Sequence, residues 1–300
     1  TIDLPEPLGK PAERPETLLF THGRNDAGQT AILAKYGQVL SARAVFGKPG
    51  EQPSISLLIG QGEARAPRNP GLTLEAAQGR LNLDPWLALA DEQGGGDLRI
   101  NTVTLTANEL ILFDRLFTGT QVIARPAGEG WQVQVSGREL QGNVDWQPGV
   151  EHPTLRGRFR RLAIPAAASG STAARRPDRS WQISADVRAD SFLVADRDLG
   201  ALQLIARPDP RGLRLQSLRL TNPDGRLEAD GLLSDHPRRY SNLNLRLDSG
   251  NLNGLFTRLG YPGNIRRGEG SVSGRVGWQG GLPDFALDKL SGDLDINLKK

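Results

Sequence analysis

Three histidines, His22, His152 and His236, are the only side chains in this 300-residue sequence that could serve as an imidazole base or a neutral metal ligand. Two of them stand before proline in matching tripeptides, Glu151-His152-Pro153 and Asp235-His236-Pro237. A structural turn needs one copy per repeat, whereas a catalytic base needs no second copy. Cysteine is absent, which excludes disulfides, thiolate zinc sites and cysteine nucleophiles. Asp293, Asp295 and Asn297 have the spacing that opens a calcium loop, in which alternate oxygens converge on one cation. The glycine and the closing glutamate of such a loop do not follow, and Leu294 and Ile296 make the trio the polar side of a strand. Gly268, Gly270 and Gly274 miss the dinucleotide fingerprint by one position and precede a strand pattern, not a helix. Walker loops, nucleophile elbows and paired-histidine metal motifs do not occur. The expectation is a protein that is not an enzyme and uses neither cofactor nor metal.

Arg156, Arg158, Arg160 and Arg161 form the densest basic run. The first three alternate with Leu155, Gly157 and Phe159, which places them on the solvated side of a strand, with anionic headgroups as the functional alternative. Basic and acidic residues number 37 and 34 and are interspersed, a balance that argues against a dedicated nucleic-acid binder. The tryptophans at 86, 131, 146, 181 and 278 sit mostly on apolar strand faces without basic interleaving, so they read as core or groove lining.

The elements that carry these residues are almost all strands. Trp181, Ile183, Ala185, Val187 and Ala189 alternate with polar residues, as do Leu227 to Leu233, Leu243 to Leu247 and Leu290 to Leu298. Gly, Pro, Asn or Asp ends each run, as hairpin-connected antiparallel strands require. Two short helices are expected, one opened by Asp84-Pro85 through Leu89, the other from Asn253 to Leu259 and closed by Gly260 and Pro262. No apolar run is long enough to span a membrane as a helix, and no basic-then-apolar leader is present. A chain that starts at Thr1, has no Met and stops directly after an alternating run reads as a segment excised from a longer protein.

An internal repeat at an offset of 82 residues relates Asp114-Arg115 to Asp196-Arg197, Ile123-Ala124-Arg125-Pro126 to Ile205-Ala206-Arg207-Pro208, and Gly130 to Gly212. So long a period makes each repeat a several-stranded meander, and such units stack their sheets edge to edge. The expected organisation is a first β unit with a short helix at 1–95, a β repeat unit at 96–165, a flexible loop at 166–180 and a second repeat with the terminal strands at 181–300. The fold class is all-β with one or two short helices, an extended, curved, antiparallel, repeating sheet forming one elongated body. Its apolar faces, rich in Leu, Val, Ala and Gly, have two possible destinations. They pack together as a sandwich, which the pattern alone favours, or they line an open trough.

The segment Gly268-x-Gly270-x-Val272-x-Gly274-x-Val276-x-Trp278, continued by Gly280, Pro283, Phe285, Leu287, Leu290, Gly292, Leu294 and Ile296, resembles the late signature of AsmA-like proteins, closest to their YhdP branch. Arg258-Leu259-Gly260-Tyr261-Pro262, Leu4 to Pro11 and the unit Trp131 to Trp146 are similar to other stretches of that branch, in the same order. The resemblance implies a periplasmic segment of an inner-membrane-anchored Gram-negative protein whose hydrophobic β-groove carries phospholipid between inner and outer membrane. It implies acyl chains as partners, membrane contact through parts of the parent outside this chain, no nucleic acid and no catalytic residues. The lipid-facing set inferred from alternation is Val133, Val135, Val144, Trp146, Ile183, Val187, Leu227, Leu243, Leu245, Val276, Leu294 and Ile296. The alternative is a structural or adhesive β-repeat scaffold with a closed core that binds protein partners along a sheet edge.

Overall fold

The computed structural model describes residues 5–9, 16–92, 98–166, 182–262, 268–281 and 289–299. About 66% of the residues are in strands, with two short helices among those described, so the fold is all-β as expected. The expected loop at 166–180, apart from Ala166, lies outside the described residues, as do Trp181, Pro283, Phe285 and Leu287. The chain divides into two compact units, one running to Arg138 and the other starting at Glu139.

The first unit holds β1 (Leu18–Arg24), β2 (Thr30–Tyr36), β3 (Leu40–Phe46), β4 (Ser54–Ile59), β5 (Gly71–Asn82), α1 (Asp84–Glu92), β6 (Ile100–Leu112), β7 (Arg115–Ala127) and β8 (Gly130–Ser136). Each strand pairs with its neighbours in sequence. The second unit holds β9 (Leu140–Gln147), β10 (Thr154–Ile164), β11 (Ser184–Val194), β12 (Arg197–Asp209), β13 (Gly212–Asn222), β14 (Gly225–Ser234), β15 (Tyr240–Ser249), α2 (Leu252–Arg258), β16 (Glu269–Gln279) and β17 (Ser291–Lys299), paired in the same serial way.

Hairpins do not make every connection. The sheet is antiparallel-dominated as expected, but the pairs β4–β5, β5–β6 and β10–β11 are parallel. A parallel pair needs a connection long enough to carry the chain back along the strand, about a dozen residues or more. The β4–β5 return crosses the polar side of the sheet. Glu63 there bonds Lys35 of β2 and Arg43 of β3, and the buried Ala64 donates its N–H to Ser41 Oγ at 3.0 Å. These two cations, Lys35 foremost, hold the Glu63 carboxyl below its ordinary range.

The sequence repeat is a structural one. Phe113-Asp114 between β6 and β7, and Ala195-Asp196 between β11 and β12, all have positive φ of 47° to 64°. Two such residues in succession make the hairpin turn whose twist matches the flanking strands. Asp84, at the start of α1, accepts the N–H of Phe113 at 2.7 Å and of Asp114 at 2.9 Å, so helix and turn form one unit. The second helix starts one residue before the expected Asn253. Asn251 is its N-cap, accepting Gly254 N–H at 3.1 Å, because Asp224 in the β13–β14 turn holds the Asn251 amide at 2.7 Å. Tertiary contact, not local spacing, fixes that cap.

In the second unit the most buried side chains gather at one end of the strands. Trp278 is 1% exposed and donates Nε1–H to Gly281 O at 2.8 Å, while Ser241, opposite it on β15, is fully buried and accepts Ser234 N–H at 2.9 Å. Leu232 and Leu233 lie at the same end.

The basic run sits on β10. Arg156, Arg158 and Arg160 are exposed as expected, and a bulge between Phe159 and Arg161 leaves Arg160 unmatched on β9. Arg158 pairs with Asp186 of β11 through two 3.1 Å hydrogen bonds, which hold the Asp186 carboxyl below its usual range. Both side chains remain solvent-accessible, at 44% and 26%. Arg156→Ala and Arg158→Ala are therefore expected to shift the urea melt by less than about 1 kcal/mol each. A loss of several kcal/mol would show that this side of the sheet is covered. Because the Asp186 pKa is lowered, the pair's contribution is complete at neutral pH. It declines only as pH falls through the carboxylate range toward that lowered value.

Candidate functional site

Strand register assembles one surface from residues scattered over the second unit. On β9 Val144 faces Gly157 of β10, which faces Val187 of β11, then Leu204 of β12 and Leu218 of β13. The row continues through Ala229, Leu245 and Gly274 to Leu294 on β17. A second row starts at Trp146 and Leu155, passes Ala185, Ala206, Leu215 and Gly231, and ends with Leu243, Val276 and Gly292. A third runs from Gly142 and Phe159 through Ala189, Leu202, Leu220, Leu227, Leu247 and Val272 to Ile296. No polar side chain interrupts any of the three rows.

Paired strands lie about 4.8 Å apart, so each row crosses roughly 38 Å of sheet, and rows two residues apart are about 6.8 Å from one another. The opposite face reads Asn143, Arg158, Arg188, Gln203, Arg219, Glu228, Arg246, Ser273 and Asp295 in the same register. Glu228 bonds both Arg226 and Arg219, and these cations hold its carboxyl below the ordinary range. Charge is thus sorted to the face opposite the three apolar rows, although Ile205 and Leu232 also lie on it.

The first unit repeats this organisation. Phe20, Ala34, Ala42, Leu57, Leu74, Val103, Ala124 and Val133 form one row, and Leu18, Tyr36, Leu40, Ile59, Ala76, Leu105, Val122 and Val135 the next. Of the expected lipid-facing residues, Val133 and Val135 belong here. Val144, Trp146, Val187, Leu227, Leu243, Leu245, Val276, Leu294 and Ile296 lie on the three rows of the second unit. Ile183 directly precedes β11, half-buried, in step with Ala185 and Val187.

The face is only partly covered. Leu243, Leu245, Leu247 and Val272 are half-buried, and Leu294 and Ile296 are 46% and 62% exposed. Residues with small side chains or central positions, such as Ala189, Ala206 and Leu215, are buried. Alternation missed Leu202, Leu204, Leu215, Leu218, Leu220 and Phe159. Leu215 and Leu218 are three residues apart, yet a bulge puts both on the apolar side, against Ala206 and Leu204. Strict period two cannot see across such a bulge. The visible signal was the repeat itself, since β12 and β13 lie within its second copy.

No group of three or more acidic or histidine side chains suited to a metal occurs among the described residues. His236 accepts the Arg238 N–H on Nδ1 at 3.1 Å, within the β14–β15 connection. Among the described residues no helix is long and apolar enough to cross a membrane.

Serially paired strands with one uninterrupted apolar face and one charged face define a class of amphipathic repeat-sheet protein. Within that class the chain belongs to the YhdP family: the family model described as YhdP protein matches residues 1–300. No curated protein and no solved structure matches the chain.

Proposed function

We propose that the chain is a segment of a periplasmic, bridge-like lipid transport protein and that it carries phospholipid acyl chains along its apolar rows. The observation that carries this reading is continuity: three rows cross every strand of the second unit without a polar side chain. A packed core needs no such continuity, whereas a conduit does. Half-burial of Leu243, Leu245 and Leu247 along the interior strand β15 supports an open trough over a closed sandwich, in which facing rows would be dry.

The energetics suit this role. Moving a 16-carbon acyl chain into water costs on the order of 13 kcal/mol, at about 0.8 kcal/mol per methylene. A face that shields the chain while the headgroup stays wet removes most of that barrier without chemistry. The charged opposite face keeps the carrier in water. Membership of the YhdP family supports this reading.

The direct test is mass spectrometry of organic extracts of the purified chain, followed by uptake of a fluorescent phospholipid from vesicles. Phospholipid is expected at one or more molecules per chain. An extract free of lipid, together with no uptake, would end the conduit reading and leave the scaffold alternative.

A further inference from the structure

Helix α2 lies at the strand end opposite the Trp278 cluster, between the end of β15 and the start of β16. Leu252 and Leu255 are 7% and 6% exposed, and Leu252 Cδ1 would lie 3.2 Å from a Cβ on Gly270, which shares the face of Val272 and Gly274. The other side of the helix carries Asn253, Gly254, Thr257 and Arg258. It borders a cleft of about 590 Å³ closed by Asp196, Arg197 and Asp198 of the β11–β12 hairpin and by Asp224.

One carboxylate does most of the holding. Asp224 accepts Arg258 Nε at 3.2 Å and Nη2 at 3.1 Å on one oxygen, and the Asn251 amide at 2.7 Å on the other. Arg258 also reaches the Asp198 carbonyl at 3.1 Å, tying the helix to a second hairpin turn. The side chains of Arg258 and Asp224 are 22% and 13% exposed, whereas Arg158, Arg219 and Arg246, paired on the polar face of the second unit, are 40% exposed or more. A Cβ on Gly254 would stand 2.0 Å from Asp224 Oδ1, so glycine is what lets the carboxylate approach. A two-turn helix has little stability of its own. Two leucines, this ion pair and a second one from Arg258 to the more exposed Asp198 carboxylate at 3.4 Å anchor it, which places it among the elements that open at low cost.

We propose that α2 is a latched side wall of the apolar face. The Asp224–Arg258 pair holds it shut, and release of the pair opens a lateral gateway for an acyl chain; this use of the gateway rests on the lipid-carrying reading above. The wall is well placed for that purpose. Its inner leucines continue the apolar lining, and its outer polar side borders the cleft toward the β11–β12 hairpin.

The absence of cysteine allows a clean test. In Asp224→Cys/Gly254→Cys a single disulfide replaces the ionic latch at the closest approach of helix and turn. Uptake of nitrobenzoxadiazole-labelled phosphatidylethanolamine from phosphatidylethanolamine and phosphatidylglycerol vesicles is expected to be at least tenfold slower in the oxidised protein than after reduction. Equal uptake in the two redox states would make α2 a fixed plug and overturn the proposal. Asp224→Asn and Arg258→Gln supply a readout independent of lipid. Each is expected to speed hydrogen exchange of residues 252–259 at least tenfold while β13 and β14 stay protected. If the wild-type chain takes up no lipid, the carrying reading falls by itself. The latch then stands or falls on exchange, and unchanged protection of 252–259 in both variants would overturn it.

Discussion

Val187→Asp is expected to leave the second unit folded and to abolish lipid uptake. Val187 sits mid-strand in β11, between Gly157 and Leu204 on the first apolar row, and is half-buried. A carboxylate there has a glycine on one side, and partial exposure lets it stay hydrated, so the folded state loses little. An acyl chain crossing the row would have to dehydrate the charge, and burying an unpaired carboxylate is far costlier than any contact a methylene returns. In a closed sandwich the same substitution buries an unpaired charge in the folded state itself and should cost several kcal/mol or prevent folding. The two architectures therefore differ in kind of outcome. Gln203→Asp is the matched control, because Gln203 occupies the neighbouring strand on the charged face between Arg188 and Arg219. It should bind lipid as the wild type does. Uptake unchanged in Val187→Asp would remove the apolar rows from lipid carriage.

The fold class could be read from the sequence because alternation is a local signal that survives wherever strands are regular. β15 and β17 show this: Leu243, Leu245 and Leu247, like Leu294, Ile296 and Leu298, each fall on one face in the register their spacing predicts. What could not be read was set by non-local geometry. The parallel pairing of β10 with β11 depends on where the long connection returns the chain, and nothing in either strand encodes that direction. The bulge in β13 reversed the parity of Leu215 relative to Leu218 and hid both from the lipid-facing set. Arg258 illustrates a third limit. It stood in the sequence only as part of a resembling motif, and its partner Asp224 lies on a different hairpin, so its role emerges once both turns meet at α2.

Gly274→Ala is expected to cost about 3 kcal/mol or more. Gly274 lies within β16, paired with Leu245 on one side and Leu294 on the other. Its φ of +153° belongs to an extended region that side chains with a Cβ enter only at a cost of about 1–3 kcal/mol. The added atom would also stand 2.1 Å from the Asp293 carbonyl oxygen and 3.0 Å from Leu294 Cα, both on the backbone of β17. No side-chain rotation can relieve a collision between a Cβ and a neighbouring main chain. Either β16 changes conformation or β17 moves away. Gly231 of β14 has the same geometry, with φ of +155° and a Cβ position 2.1 Å from the Asn242 carbonyl. Glycines of this kind bend a sheet where a regular residue would keep it straight, so they shape the apolar face as well as permit it. Gly79→Ala in β5, where a Cβ meets nothing within 4 Å and φ is ordinary, should be neutral or slightly stabilising. In Gly274→Ala the damage should start at the β16–β17 pair, seen as hydrogen exchange rising first over 291–299, and the apolar rows would lose Leu294 and Ile296. A melt and an exchange pattern indistinguishable from wild type would show that β16 is an ordinary strand and that the curvature of this face has another source.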